Sequence, residues 1–76
     1  MFLTLTIEAV GGSADIRIDS EQTIGVGLRV LRESGRLPVG PTPNFYRSHM
    51  RQTLVSAWKT FGAEQVFDGD ILTAIE

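Results

Sequence analysis

The spacing of apolar residues changes period once along this chain, and that change constrains the fold more than any other feature. In residues 1–7, Met1, Leu3, Leu5 and Ile7 fall on one side and Phe2, Thr4 and Thr6 on the other, the period of two that belongs to a half-buried strand. Phe2 is the exception, an aromatic on the outward side. Gly11-Gly12-Ser13 supplies the positive φ of a tight hairpin connection, and Ala14, Ile16 and Ile18, alternating with Asp15, Arg17 and Asp19, predict a second strand antiparallel to the first. From Ser20 the period becomes helical. Ile24, Leu28 and Leu31 follow at spacings of four and three behind Thr23, the expected N-cap.

Gly25 and Gly27 each weaken that helix by about 1 kcal/mol relative to Ala, so docking on a sheet must hold it, with the glycines allowing close approach. Gly35 is the expected C′ residue, and Pro38, Pro41 and Pro43 keep the helix from resuming. The chain then re-enters strand from Phe45 to Ser48, turns near His49 to Arg51 and returns through Thr53 to Val55. Parity does not decide whether Phe45 or Tyr46 faces inward, because a bulge would exchange them. Trp58 to Gln65 reads as a connection containing a short helical turn, and Val66 and Asp68-Gly69-Asp70 lead into a last strand from Ile71 to Ile75. The order predicts an α+β domain over residues 1–76: a mixed five-stranded sheet packed on one α-helix plus a short helical turn. The first and last strands are expected to lie parallel at its centre, a pairing that needs the crossover the helix provides.

Composition closes off several functions. No Cys occurs among the 76 residues, which excludes a disulfide framework, a thiolate zinc site, an iron–sulfur cluster and a cysteine nucleophile. The net charge of −2 leaves no basic stripe for nucleic acid, and Arg29, Arg32 and Arg36 read as the solvated face of the helix. Apolar runs reach only two or three residues and no basic segment precedes them, so the chain is expected to be soluble, unprocessed and cytoplasmic, without membrane insertion.

Catalytic chemistry has little to work with. The single His49 lies between Ser48 and Met50 in a turn, and Asp68 and Asp70 lack the further oxygen ligands a hard cation takes. The Asp-Gly-Asp segment reads as a polar turn that starts the last strand. No phosphate-binding glycine motif is present. The chain is expected to be no enzyme, with no catalytic residue, metal, cofactor or small-molecule substrate. What remains is surface. Phe2, Tyr46, Met50 and Trp58 are the candidate protein contacts, since large aromatics and Met are favoured interface anchors. An edge strand able to accept another strand is a second binding mode.

The whole chain resembles ubiquitin in order and spacing, which implies a ubiquitin-like β-grasp fold. Thr23-Ile24 opens the helix as the corresponding pair does there, Leu37-Pro38 stands where an apolar residue and Pro leave it, and the segment from Thr60 to Val66 aligns without a gap to the short-helix segment TLSDYNI. In length, and in the ending Asp68-Gly69-Asp70-Ile71-Leu72, the chain is similar to the YukD/EsaB proteins, small ubiquitin-like proteins of bacterial type VII (WXG-type) secretion loci. That resemblance implies an accessory or regulatory role exerted by binding another protein, one or more type VII components being the expected partner. Ubiquitin-type modifiers and sulfur carriers end in Gly-Gly, whereas this sequence ends Thr73-Ala74-Ile75-Glu76 and has a lone Lys59. A modifier or sulfur carrier lacking that tail, and a ubiquitin-like module with an unrelated partner, are the alternatives.

Overall fold

The computed structural model describes residues 1–75. The two alternating segments form β1 (Phe2–Ala9) and β2 (Gly12–Asp19), an antiparallel hairpin in which Phe2 faces Asp19 and Ala9 faces Gly12. Val10 and Gly11 make the connection, with Gly11 at φ 93°. A Cβ there would also stand 2.6 Å from the Pro38 ring, so both backbone and space require glycine. Leu3, Leu5 and Ile7 are buried together with Ile16 and Ile18, as the alternation predicts. Met1, expected on the same side, is 79% exposed: it precedes β1, and only its carbonyl joins the sheet by accepting from the Ser20 N–H.

Helix α1 (Ile24–Glu33) turns Ile24, Leu28 and Leu31 into the core. At Gly27 a Cβ would lie 3.0 Å from Ile7 Cδ1 and 3.2 Å from Phe61 Cζ, so this glycine sets how closely helix and sheet approach. Gly25 packs on the Ala57 carbonyl instead. Thr23 occupies the N-cap with extended backbone, but its side chain caps nothing. The helix start is satisfied from elsewhere: Thr23 bridges Thr60, and the N–H groups of Ile24 and Gly25 donate to the carbonyls of Lys59 and Ala57.

The other end closes as a Schellman motif, with Gly35 N–H donating to Arg32 O at 3.1 Å and Arg36 N–H to Leu31 O at 2.9 Å. Gly35 sits at φ 78° with open space where a Cβ would be. Gly35→Ala is therefore expected to cost about 1–2 kcal/mol through backbone conformation alone, read as a lower urea midpoint with an unchanged m-value. A midpoint equal to that of the native chain would contradict the motif. The solvated reading of the helix arginines holds for Arg29 and Arg36, which are exposed, and fails for Arg32. Arg32 is half-buried, one terminal nitrogen donates to Pro41 O at 2.7 Å, and its Nε has no partner among the described residues. It folds back against the Pro loop, where the same terminal nitrogen also lies beside Gly40.

Three more strands complete the sheet: β3 (Phe45–Ser48), β4 (Thr53–Ser56) and β5 (Ile71–Ile75). Their order is β2-β1-β5-β3-β4, with β1 and β5 parallel at the centre and the other neighbours antiparallel. Between β4 and β5 the helical segment is a single turn. Glu64 N–H donates to Thr60 O and Val66 N–H to Phe61 O, closed by Gln65 at φ 58°, and the turn carries Phe61 and Val66 into the core.

The Asp-Gly-Asp segment fastens this end of the sheet. Asp68 Oδ1 accepts from Thr4 N–H at 2.6 Å, Gly69 N–H donates to Thr4 O at 2.7 Å, and Thr6 N–H donates to Asp70 O at 3.0 Å. The Asp70 carboxylate, 1% exposed, accepts from the Ser48 hydroxyl and from the N–H groups of Met50 and Ile71. It thereby ties the start of β5 to the turn after β3. Among the described residues no helix is long and apolar enough to cross a membrane.

Candidate protein-docking surface

Helix α1 covers one face of the sheet and leaves the other bare. The side chains of that outer face are those out of phase with the core: Phe2, Thr4, Thr6 and Glu8 from β1, Asp15, Arg17 and Asp19 from β2, Phe45 and Arg47 from β3, Leu54 and Ser56 from β4, and Ile71, Thr73 and Ile75 from β5. The β3 register contains no bulge: Tyr46 pairs with Val55 on one side and Ala74 on the other. Parity is therefore preserved, which sends Tyr46 inward and Phe45 outward.

Tyr46 is 1% exposed, which corrects its assignment as a protein contact. It fills the core beneath β3, where burial pushes its hydroxyl pKa up to about 12 against a smaller opposing pull from Arg32. Met50, Trp58 and Phe2 are exposed, but Phe2 and Trp58 stand at opposite ends of the strands. Met50 lies in the β3–β4 turn, its methyl group near Gly69. Phe2 sits at the far end of the strands from Phe45: Phe45 faces Ile75, which the β1–β5 register sets eight residues along β1 from Phe2, an offset of roughly 25 Å at ordinary strand rise, and the Arg17 guanidinium lies 4.7 Å from the Phe2 ring centre.

Trp58 does have apolar company. Its ring meets that of Phe45 edge to face at 5.4 Å and 72°, and Phe45 stands directly opposite Ile75 in the β3–β5 register. Phe45 and Ile75 are 41% and 38% exposed, Trp58 59%, and Leu54, on the diagonal from Phe45, 50%. Phe45 and Ile75 also form one wall of a shallow groove of about 450 Å³ whose other wall is the Pro41–Thr42–Pro43–Asn44 loop. The result is a continuous apolar surface made of two aromatics, two aliphatics and a groove. Sequence reasoning missed Phe45, Leu54 and Ile75. For Phe45 the signal was present but ambiguous, since only the unbulged pairing with β5 decides its side.

A polar row borders the patch. Thr73 donates its hydroxyl to Glu8 Oε1 at 2.8 Å, and His49 Nε2 lies 2.8 Å from the same hydroxyl oxygen. Because the hydroxyl hydrogen is committed to Glu8, the network requires that Nε2 be the donor. Arg47 is exposed between this row and Leu54. A ligand here meets an apolar centre with charged and hydrogen-bonding groups at its rim, the usual anatomy of a protein interface. Among the described residues no group of three or more His, Cys, Asp or Glu side chains is placed to hold a metal ion.

No protein-family model matches the chain, and no curated protein does. Solved structures do. The ubiquitin-like domain of Plasmodium falciparum Dsk2 superposes with a TM-score of 0.59 at 17% identity, covering 99% of this chain and all of that one. Caldiarchaeum subterraneum ubiquitin gives 0.60 at 16% identity, with 100% and 96% covered. The ubiquitin-like domain of EccD5 from Mycobacterium xenopi gives 0.59 at 21% identity, with 99% and 93% covered. At these identities the likeness is one of architecture, and it agrees with the strand order, the parallel central pair and the single crossing helix. The chain thus has the ubiquitin-like β-grasp fold, a five-stranded mixed sheet with one helix packed across it.

Proposed function

We propose that this chain is a non-enzymatic protein-binding module, an accessory or regulatory component of a bacterial type VII secretion system acting in the cytoplasm. The observation that carries the binding role is the exposed Trp58–Phe45–Ile75 surface with its flanking groove. Aromatic rings held rigidly against each other at a sheet surface lose little conformational freedom on binding, which is why such residues dominate interface energetics. The secretion context has two supports: the Asp68-Gly69-Asp70-Ile71-Leu72 ending shared with the YukD/EsaB proteins, and the likeness to the EccD5 ubiquitin-like domain.

The experiment is a pull-down from the native host with the immobilised chain, alongside a Phe45→Ala/Trp58→Ala double variant. The native chain is expected to recover a type VII membrane ATPase, channel or WXG-type component, and the variant to lose roughly tenfold or more of it. Trp58 is the sole tryptophan, so its emission should shift to the blue when that component is added. Recovery of none of these components would count against the secretion role, and equal recovery by the variant would remove the patch from it. Intact mass of the native protein addresses the modifier reading: an additional C-terminal Gly-Gly, or an adduct at the terminus, would replace this proposal with that one.

A further inference from the structure

Strand β2 is an outer strand of the sheet, and its free edge has a chemistry of its own. The Ser20 N–H donates to Met1 O, which identifies the even-numbered residues of β2 as those whose backbone faces β1. Ala14, Ile16 and Ile18 are thereby paired, while the N–H and C=O groups of Asp15 and Arg17 point away from the sheet. Among the described residues neither makes a backbone hydrogen bond outside the β1–β2 ladder. An edge of unpaired backbone groups is a template for another strand. Here the side chains specify which one.

We infer that this edge is a self-association site, at which β2 pairs antiparallel with β2 of a second copy about a dyad through Ile16. In that register Asp15 faces Arg17 of the second copy and Arg17 faces its Asp15, so two cross-strand pairs of opposite charge form on the outer face. On the helix side Ile16 meets its own equivalent and Ala14 meets Ile18. The other registers are disfavoured by the same charges. A dyad at Arg17 sets Arg17 on Arg17 and Asp15 on Asp19, and a dyad at Asp15 sets like carboxylates together. A dyad at Ile18 recovers two opposite pairs, but it uses Asp19, whose side chain accepts from the Glu21 N–H and the Met1 ammonium and whose carbonyl accepts from Gln22. It also overlaps only the end of the strand. Parallel in-register pairing places every charge on its like.

The surroundings suit a second copy. Beside the edge, Ile16, Ile18, Val26 and Val30 line a groove of about 540 Å³ between β2 and α1, with Val30 42% exposed. The dyad brings the second copy's equivalents to the mouth of that groove. Asp15 and Arg17 are already held on the outer face, Asp15 by the Thr6 hydroxyl at 2.6 Å and Arg17 by the Phe2 ring, so little side-chain freedom remains to be lost on pairing. The result is a continuous ten-stranded sheet that leaves the Trp58–Phe45–Ile75 surfaces of both copies open, so this inference goes beyond the proposed function and does not depend on it.

The test is sedimentation of the purified chain from micromolar to millimolar concentration, with two charge reversals, Asp15→Arg and Arg17→Asp. The native chain should shift reversibly from monomer to dimer. Each reversal alone creates two like-charge contacts and should weaken the dimer by roughly tenfold to a hundredfold. An equimolar mixture of the two variants should associate again as a heterodimer, and so should the double variant with itself, because both restore opposite charges at the two positions. Circular dichroism verifies that each variant is folded. Independently of any variant, the amides of Asp15 and Arg17 in the native chain should gain exchange protection as concentration rises. A native chain that stays monomeric at millimolar concentration, a dimer indifferent to single reversals, folded variants that fail to re-associate on mixing, or amides at positions 15 and 17 that never gain protection would each overturn the assignment.

Discussion

Asp70→Ala is expected to lower the unfolding free energy by roughly 3 kcal/mol or more, a large part of the total for a domain of this size. The carboxylate it removes is buried and accepts three hydrogen bonds, from the Ser48 hydroxyl and from the N–H groups of Met50 and Ile71. Truncation leaves those donors without their acceptor, the Ser48 hydroxyl in a buried site and the two N–H groups in partly buried ones, and each orphaned donor costs on the order of 1 kcal/mol or more. Ser48→Ala removes one donor and a weaker contact to the Arg51 N–H, so its cost should be about 1 kcal/mol. Asp70→Asn keeps an acceptor for the two backbone N–H groups and should fall between them. Urea titration of the three variants reads this order directly. An Asp70→Ala midpoint equal to that of the native chain would show that the segment is a surface turn and nothing more.

Alkaline pH should destabilise this fold through Tyr46, by roughly 3 kcal/mol once the full window is crossed. Burial raises the native phenol to about 12, against an ordinary value of 10.0 in the unfolded chain. A raised native pKa means the stabilisation is fully present below the unfolded value and is lost as pH rises through the native one. Stability should therefore hold up to about pH 10 and fall between there and about pH 12, as the unfolded chain releases a proton that the native chain retains. Tyr46 is the sole tyrosine, so absorbance of the phenolate reports this group alone. Native protein should reach half-ionisation near pH 12 and denatured protein near pH 10. Tyr46→Phe should abolish this group's share of the alkaline loss. A native phenol that ionises like the denatured one would place the ring at the surface after all.

The two residues also show where sequence reasoning succeeded and where it stopped. Asp68-Gly69-Asp70 was legible as the turn that starts the last strand, because Gly69 at φ 85° between two short polar residues is local turn chemistry. That Asp70 reaches across to residues 48–50 was not legible, since the partner strand is twenty positions away and nothing in the segment names it. Tyr46 and Phe45 are adjacent aromatics with equal claims to the core. The choice between them follows from pairing with Ala74 and Val55, one of them in a strand nearly thirty residues downstream.

The same division runs through the candidate surface. Phe2 was correctly placed outside by alternation, and Trp58 and Met50 are exposed as well, yet Phe2 stands at the far end of the strands from Trp58 and Phe45. The patch that does form joins Phe45, Trp58 and Ile75 from three separate stretches. At the helix, spacing selected Ile24, Leu28 and Leu31 for burial, but Thr23 lost its capping role to the backbone of residues 57–60.

By itself, then, the sequence determined the kind and order of the elements: a period of two, a Gly-Gly hairpin, a helical stripe ended by Gly35 and three prolines, and a polar turn into the last strand. These are short-range properties, set by side-chain direction and allowed φ, and they survive without knowledge of the partner. Only the tertiary structure decided which aromatic of the Phe45-Tyr46 pair is core, which carboxylate is buried, and which exposed side chains share one surface. Each of those depends on strand register, and register is an energy of long-range pairing that no local segment contains.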